Sequence, residues 1–325
     1  MHRFSRRKFS ALGLAALASR GFAQPKQTSV VLLLTGVITD GGWSELAYQG
    51  LKALGPGFRT AYAENISLAQ MQEVTRGYAD DGFQVILGHG FEFSSALLDI
   101  APDYPQQKFF VTSYLPQPKV PANILYIDLG YFGAAYGAGT LAALISEKKQ
   151  AVGFVGGEDD PTQQRIQKCF VAAARNTVSG IRGLGIITGD YDNAAKGREA
   201  ASTLIGNGAD VIWHAADVTG LGAIQGAVAG HVKVMGCYSD QTALAPESMA
   251  TSFEMNLGGV VQAVAHSVAD GSFSGGREWK PPVDWMWLLR AGSNGEYNPH
   301  LVSAGQWAGF RKTWSDLSAG RIALP

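Results

Sequence analysis

Short runs of β-branched residues and leucine recur along the chain, and each is followed by a longer segment whose apolar residues have helical spacing. Ser29–Leu34 is the first such run, and the segment Glu45–Leu54 after it brings Leu51 and Leu54 onto one helical face. An unbroken apolar run is typical of a parallel strand buried on both faces, and apolar positions three or four residues apart are typical of a helix. The pattern predicts a strand followed by a helix.

The alternation continues in two series. Further strands of the first series are predicted at Arg59–Ala63, Gln84–Leu87, Lys108–Thr112 and Ile124–Asp128. Strands of the second series are predicted at Ala151–Val155, Ile186–Ile187, Val211–His214 and Val232–Cys237. Alternating strands and helices pack as a mostly parallel sheet that is covered by helices on both faces. The sequence therefore predicts an α/β protein of two successive lobes, each an open parallel sheet flanked by helices.

The last quarter of the chain is predicted to contain two helices with one strand between them. The helices are predicted over Asn256–Asp270 and Gln306–Leu317, and the strand, which is rich in aromatic residues, over Val283–Leu289. Three aromatic residues share one face of the final helix and are expected to pack in a core: Trp307, Phe310 and Trp314.

Polar and aromatic residues cluster where the predicted strands end. Parallel sheets of this kind bind ligands outside the carboxyl ends of their strands. The residues expected to line a site there are Gly42, Trp43, Ser44, Phe91, Trp213, Asp217 and Asp240. If the two lobes face one another, aromatic faces and carboxylates would line the cleft between them, which suits a flat molecule that bears N–H donors.

Composition narrows the class of protein. Hydrophobic residues make up 46% of the 325 residues and charged residues 16%, which suits a globular chain of two domains. The 26 basic residues nearly balance the 27 acidic ones, so a nucleic-acid partner has no electrostatic basis. The two cysteines exclude a disulfide framework and a thiolate zinc site, and no motif predicts a metal, a cofactor or a membrane span.

The first 23 residues have the features of an export signal. Residues 1–23 carry five basic residues and no acidic one, and an apolar stretch over 11–18 precedes the small residues that end at Ala23. The string SRRKFS, Ser5–Ser10, resembles the twin-arginine export motif. We expect cleavage after Ala23 and a periplasmic mature protein with about six net negative charges. A disordered basic tail is the alternative.

Six strings, in a fixed order, carry a resemblance that covers nearly the whole mature chain. They are ITDGGWSELAYQGL (Ile38–Leu51), GHGFEFSSALLDIAPDYPQQKF (Gly88–Phe109), AYGAGTLAAL (Ala135–Leu144), VGFVGG (Val152–Gly157), ADVIWHAADVTGLG (Ala209–Gly222) and CYSDQTALAPESMATS (Cys237–Ser252). Through them the chain resembles the basic membrane protein family, the extracytoplasmic solute-binding components of nucleoside and purine ABC importers.

The resemblance implies a two-lobed, hinged periplasmic-binding-protein fold of type I, whose chain crosses between the lobes three times. Residues 24–128 and 252–284 would form the first lobe, and residues 129–251 and 285–325 the second. It also implies a purine-like small-molecule ligand, the permease and ATPase of an ABC importer as partners, and no enzymatic activity. A monomer is the default expectation.

Individual family positions can be compared with this sequence. In nucleoside receptors of the family, an aromatic residue that stacks on the base and then an asparagine follow the first strand; Trp43 and Ser44 occupy these positions here. The family's aspartate before the final lobe crossing corresponds to Asp240, whereas its ribose-binding lysine falls on Glu254 or Met255. The lost cation favours a free purine base or a similar flat heterocycle over an intact nucleoside.

Each candidate residue also has a structural interpretation. Trp43 and Phe91 are expected to stack on the ligand ring, but either could be a packing residue. Asp217 and Asp240 are expected to accept hydrogen bonds from ligand N–H groups, but the first could cap a helix and the second could form a turn.

Other functions remain open from the sequence. A nucleoside or sugar receptor of the same fold is one alternative. An exported NAD-dependent oxidoreductase is an alternative of another class, although Gly137–Gly139 and Gly220–Gly222 supply only parts of a dinucleotide-binding motif. A ligand-gated repressor would need an N-terminal DNA-reading helix pair, where this chain has its predicted export signal.

Overall fold

The computed structural model describes residues 27–113 and 119–325. The predicted export signal lies outside the described residues, so its cleavage after Ala23 stays a prediction. Within the described ranges, no helix is both long enough and apolar enough to cross a lipid bilayer.

The first of two six-stranded sheets is entirely parallel. Numbered in chain order, its strands are β1 (Thr28–Leu34), β2 (Phe58–Ala63), β3 (Val85–His89), β4 (Lys108–Thr112), β5 (Ile124–Ile127) and β11 (Arg277–Trp279). They lie in the order β11-β5-β4-β3-β1-β2. Every residue of β1 is buried, as the unbroken apolar run predicts.

The second sheet repeats this strand order. Its strands are β6 (Ala151–Gly156), β7 (Arg182–Ile187), β8 (Ala209–Ala215), β9 (Lys233–Tyr238), β10 (Met249–Met255) and β12 (Trp287–Arg290). They lie in the order β12-β10-β9-β8-β6-β7, and only β12 is antiparallel to its neighbour. In both sheets the second strand lies on one side of the first and the third strand on the other, and such a switch point opens a crevice at the carboxyl edge.

Ten α-helices connect the strands or pack on the two sheets in the described part of the chain. They are α1 (Trp43–Lys52), α2 (Met71–Asp80), α3 (Phe93–Ile100), α4 (Tyr131–Ile145), α5 (Pro161–Thr177), α6 (Ala194–Gly206), α7 (Asp217–Ala229), α8 (Leu257–Ala269), α9 (Val283–Met286) and α10 (Ala304–Ser318). The two-lobed α/β architecture predicted from the sequence is therefore confirmed. The aromatic stripe of α10 is buried, and Phe310 and Trp314 pack against Phe253 of β10.

Strands β10 and β11 were not predicted from the sequence, and the strand predicted over Val283–Leu289 is wrong for its first part. Residues 283–286 form the short helix α9, and only the residues after them extend as β12. Because β10 runs to Met255 within the second sheet, the predicted lobe boundary at residue 252 falls inside a strand. The chain passes back towards the first sheet after residue 255, where α8 packs on α1, β1 and β3.

Helix α8 approaches α1 at a pair of glycines. A Cβ atom at Gly50 would lie 2.5 Å from the Cα atom of Gly258, a backbone contact that cannot move aside. Helix α1 carries Trp43 at its first turn. The close contact between the two helices therefore helps to set the distance between the first turn of α1 and the first sheet.

We expect Gly50→Ala to lower the free energy of unfolding by about 1–3 kcal/mol, because the added methyl group overlaps a helix backbone. The matched control is Gly77→Ala on the exposed surface of α2, where a Cβ atom meets nothing within 4 Å. That control should stabilise the protein by about 0.5–1 kcal/mol through helix propensity. Urea denaturation of both variants measures the difference, and equal effects would contradict the glycine contact.

Candidate functional site

The carboxyl edges of the two sheets meet at the start of α1. A methyl group at Gly42 would lie 3.4 Å from Oδ1 of Asp217 and 4.0 Å from the ring of Tyr238. Gly42 belongs to the loop after β1 in the first lobe, whereas Asp217 follows β8 and Tyr238 ends β9 in the second. We call this region, together with the strand ends around it, the interlobe site.

Asp40 positions the first turn of α1. Its carboxylate accepts hydrogen bonds from the backbone N–H groups of Gly42 (2.9 Å), Ser44 (2.7 Å) and Glu45 (3.0 Å). These groups have no partner within the helix, and a carboxylate also interacts favourably with the positive end of the helix. The result is a rigid turn that presents Trp43 to the interlobe site.

The indole ring of Trp43 stacks on His89, which ends β3. The ring centroids are 4.1 Å apart and the ring planes are 21° from parallel. Nε2 of His89 lies 3.2 Å from the backbone oxygen of Trp43, and Nδ1 lies 2.9 Å from Oγ1 of Thr112. Because Oγ1 of Thr112 also accepts the N–H of Gly90, its own proton is free for Nδ1 of His89, which fits a neutral imidazole protonated at Nε2.

Burial lowers the pKa of His89 to about 4, against the weaker opposing effects of the hydrogen bond to Trp43 and of the Asp40 charge. The imidazole is therefore neutral at physiological pH. A second histidine, His214, is also fully buried, and burial lowers its pKa to about 4 as well. Nε2 of His214 lies 2.9 Å from Oε1 of Gln241, beneath α7.

A chain of aromatic rings continues from Trp43 towards the lobe crossings. Tyr131, at the start of α4, stacks on Trp43 with centroids 6.0 Å apart. Trp287 contacts both Tyr131 and Tyr238, and its indole N–H donates to the backbone oxygen of Leu129 at 2.7 Å. Burial raises the pKa values of Tyr131 and Tyr238 well above the ordinary range, so both hydroxyls stay protonated.

Asp217 stands at the centre of the interlobe site. Its side chain is half-buried, but its Oδ1 atom is completely buried and has no hydrogen-bond partner among the described residues. Its backbone has a φ of 43°, in the left-handed region that an aspartate rarely adopts. Such a conformation persists only where the surroundings impose it, and it is found preferentially at functional sites.

Burial, together with the smaller effects of the Asp40 and Asp192 charges, raises the pKa of Asp217 to about 7. The folded protein therefore holds this proton more tightly than the unfolded chain does. The corresponding stabilisation is present below the ordinary pKa of an aspartate and is lost as the pH rises through about 7. At neutral pH and above, the ionised carboxyl favours any ligand that donates hydrogen bonds to it.

A second group of acidic residues lies across the same gap. Glu92 precedes α3 in the first lobe, and its pKa is raised by burial and then by Asp160 and Glu158 of the second lobe. Asp160 caps α5 through the N–H groups of Thr162 and Gln163. Its other oxygen lies 3.4 Å from the hydroxyl of Tyr191.

Two candidate residues have structural roles instead. Trp213 is 1% exposed and packs among Phe154, Phe170 and Phe253 in the core of the second lobe, so its prediction as a ligand contact is wrong. The alternation of side chains along β8 points Trp213 to the face of the sheet that α5 covers. Asp240 is exposed, and its carboxylate accepts hydrogen bonds from Thr242 and Gly292. This is the turn-forming role that was its alternative.

The remaining candidates differ in their access to the gap. Gly42, Trp43 and Asp217 lie together in the interlobe site. Ser44 is buried on the first turn of α1. Phe91 is 39% exposed beside the site, on the loop between β3 and α3.

Sequence reasoning missed the tyrosines and part of the acidic set. The missed residues follow or end strands, or open the first helix of the second lobe: Glu92, Tyr131, Asp160, Tyr191 and Tyr238. Their position after a strand is the signal that could have found them. Tyr238 occupies the strand end that Asp240 was expected to occupy, two residues earlier in the chain.

Within residues 27–113 and 119–325, no group of three or more His, Cys, Asp or Glu side chains is arranged to hold a metal ion. Cys169 and Cys237 are both free and buried. Burial raises the pKa of both thiols, which makes them poor nucleophiles.

Two mostly parallel α/β lobes that meet at their carboxyl edges are the fold of two-lobed solute-binding proteins. A solute-binding protein of Aeropyrum pernix K1 has this fold, with a TM-score of 0.77 at 19% identity over 91% of this chain and 93% of its own. The family model for PnrA-like ABC transporter substrate-binding proteins matches residues 27–284, and the chain belongs to that family. The resemblance to the basic membrane protein family is thereby confirmed.

Curated relatives include proteins with named ligands. The nucleoside-binding protein BmpA of Lactococcus lactis is 26% identical over 263 residues, which cover 74% of each chain. A purine-binding protein of Brucella abortus is 26% identical over 273 residues, which cover 82% of this chain and 74% of its own.

The two buried histidines make the stability depend on pH. Because their folded pKa values lie below the ordinary value of 6.5, the unfolded chain binds more protons between about pH 4 and 6.5. Stability therefore falls as the pH drops through this window. His89→Gln should remove about 1.4 kcal/mol per pH unit of that slope, as measured by urea denaturation. The exposed replacement His300→Gln should keep the wild-type slope, and a slope unchanged in His89→Gln would contradict the buried neutral imidazole.

Proposed function

We propose that this protein is an extracytoplasmic receptor that captures a purine base or a similar flat heterocycle in the interlobe site and delivers it to an ABC importer. The observation that carries the proposal is the buried, unpartnered Oδ1 atom of Asp217, next to the turn that presents Trp43. Membership in a family of ABC transporter substrate-binding proteins supports the transport role and a location outside the cytoplasm.

The aromatic rings account for recognition of a flat ligand. Trp43 has His89 against it at 4.1 Å and Tyr131 at 6.0 Å, both within 23° of parallel. A planar ring entering the site would stack on this assembly by displacing Tyr131 from its contact with Trp43. Stacking of a base on an aromatic side chain is worth about 1–3 kcal/mol.

The unpartnered carboxylate accounts for selectivity. A buried acceptor without a partner costs about 1–3 kcal/mol, and more when it is charged. A ligand that donates an N–H group to Oδ1 of Asp217 removes that cost, whereas an analogue without the donor leaves it in place. A ring with N–H donors on its edge therefore fits the site better than a sugar or an aliphatic compound does.

A free base is favoured over a nucleoside for a second reason. Glu254, one of the two positions expected for the ribose-binding lysine, pairs with Arg290 at 3.3 Å on the edge of the second sheet. Neither Glu254 nor Met255, the other position, supplies the cation that would hold a ribose. The two relatives, one named as nucleoside-binding and the other as purine-binding, are compatible with a purine ring in either form.

Capture of the ligand would couple to closure of the lobes. A ligand shifts a conformational equilibrium only through its different affinities for the two states. A ring that contacts Trp43 of the first lobe and Asp217 of the second has its full set of contacts only when the lobes are together. The closed, loaded form is then the one that docks on the importer.

Titration with candidate ligands tests the proposal directly. Intrinsic tryptophan fluorescence should respond saturably to at least one of adenine, guanine, hypoxanthine and xanthine, and more weakly to adenosine. Ribose and glucose should give no response. The ligand recovered after denaturing the complex should be chemically intact; turnover would instead support the oxidoreductase alternative.

Asp217→Asn should weaken binding of the best ligand at least tenfold, which is about 1.4 kcal/mol, because an amide is a poorer acceptor than a carboxylate. The matched control is Asp240→Asn, whose carboxyl is exposed and engaged in a turn. It should keep the affinity within about twofold. Calorimetric titration of both variants measures the contrast, and the reverse order of effects would remove Asp217 from the site.

The affinity should also depend on pH through Asp217. Because its pKa is raised to about 7 and an N–H donor favours the ionised form, ligand binding releases a proton at lower pH. The affinity of wild-type protein should fall as the pH drops from about 7.5 to 5.5, by up to tenfold per unit. Asp217→Asn should show no such dependence, and an affinity that rises in acid would argue against an ionised carboxylate acceptor.

Trp43→Ala should weaken binding at least tenfold through loss of the stacking surface. Trp43→Phe keeps an aromatic face and should recover most of the affinity. The same calorimetric titration compares the two replacements, with the melting temperature of each as the control for folding. Equal losses in both variants would indicate that the indole acts by packing rather than by stacking on the ligand.

A further inference from the structure

Six carboxyl groups from the two lobes interact electrostatically at the interlobe site, in one set around Asp217 and another around Glu92. The first lobe contributes two of them and the second lobe four: Asp40 and Glu92, and Glu158, Asp160, Asp192 and Asp217. The charges that raise the pKa values of Asp217 and Glu92 come from other members of this set. The set is defined here as the acidic ring.

No basic side chain neutralises the acidic ring in the described part of the chain. None of its six carboxylates forms an ion pair or a hydrogen bond with a lysine or arginine there. Lys196 belongs to the helix that follows Asp192, but its ammonium group pairs with Asp190 at 3.0 Å. The tyrosines of the site remain neutral, since their pKa values are raised.

Asp40 and Asp160 of the acidic ring have structural partners, whereas Oδ1 of Asp217 has none among the described residues. Asp40 and Asp160 accept backbone N–H groups at the starts of α1 and α5, so their charges are partly offset by the helix ends. Asp217 opens α7, yet no backbone N–H group reaches its buried Oδ1 atom. An acceptor of this kind, within a negative field and aimed into the gap between the lobes, calls for a donor that also supplies positive charge.

We propose that the ligand is a flat ring compound that carries a positive charge when bound; this inference rests on the proposed function. The ligand would direct an amidine-like N–C–N edge at the Asp217 carboxylate. Such an edge offers two parallel N–H donors, the arrangement that pairs best with a carboxylate. The remaining carboxylates of the ring, Glu92 in particular, would contribute through the field that they create across the gap. An anionic ring such as urate would be repelled by the same groups.

The charge of the ligand can be varied at nearly constant shape. Benzamidine, benzamide and benzoate share one flat ring and a planar substituent, and they are respectively cationic, neutral and anionic at pH 7.5. Calorimetry at low ionic strength should give benzamidine at least a tenfold higher affinity than benzamide, and no detectable binding of benzoate. Raising the salt concentration should reduce the advantage of the cation, because partly exposed charges are screened.

Variants assign the preference to the acidic ring. Asp217→Asn and, separately, Glu92→Gln should each reduce the ratio of benzamidine to benzamide affinity at least threefold, while Asp240→Asn leaves it unchanged. Glu92→Gln serves as the second test because the side chain lies at the edge of the gap, away from the strained backbone at residue 217. Melting temperatures of all three variants verify that they are folded.

The outcomes separate this inference from the proposed function. If a neutral purine binds and benzamidine binds no better than benzamide, or not at all, the cationic ligand class is wrong and the receptor function stands. If no flat compound of either set binds, the proposed function itself is wrong. A cation preference that survives both Asp217→Asn and Glu92→Gln would also overturn the inference, because the acidic ring would not be its source.

Discussion

The interlobe site depends on one costly arrangement, a carboxyl group that is buried without a hydrogen-bond partner. Asp217 occupies a left-handed backbone conformation at the start of α7, and its Oδ1 atom touches the loop of the opposite lobe. Neither feature stabilises the fold. Under the proposed function a ligand completes the surroundings of this group, next to the aromatic rings, the acidic ring and the lobe contact.

Rigid supports surround this strained residue. The neutral imidazole of His89 stacks on the ring of Trp43 and contacts its backbone oxygen. Asp40 accepts three backbone hydrogen bonds from the same turn. Trp287 fixes the first lobe crossing through the backbone oxygen of Leu129. The site is thus built on strand ends and helix starts, whose geometry the two sheets determine.

Much of the architecture could be predicted from the sequence, because buried parallel strands leave unbroken apolar runs. Strand β10 escaped detection because its residues, MATSFEM, mix polar and apolar side chains, and residues 283–286 turn helical where the aromatic pattern resembles a strand. In the site, position after a strand predicted both Trp43 and Asp217, which lie on the two sides of the contact between the lobes. It could not decide which face of β8 Trp213 occupies or that Tyr238, rather than Asp240, points to the gap, because both depend on strand register and on backbone conformation.

The return of the chain to the first lobe has a consequence for how the protein is made. Helix α8 and strand β11 complete the first lobe, yet they are synthesised after all of β6 to β10. The first lobe therefore cannot finish folding on the ribosome before most of the second has emerged, and its nucleus must include contacts that are distant in sequence. If residues 1–23 act as the twin-arginine signal that the sequence predicts, the whole chain would fold in the cytoplasm before export.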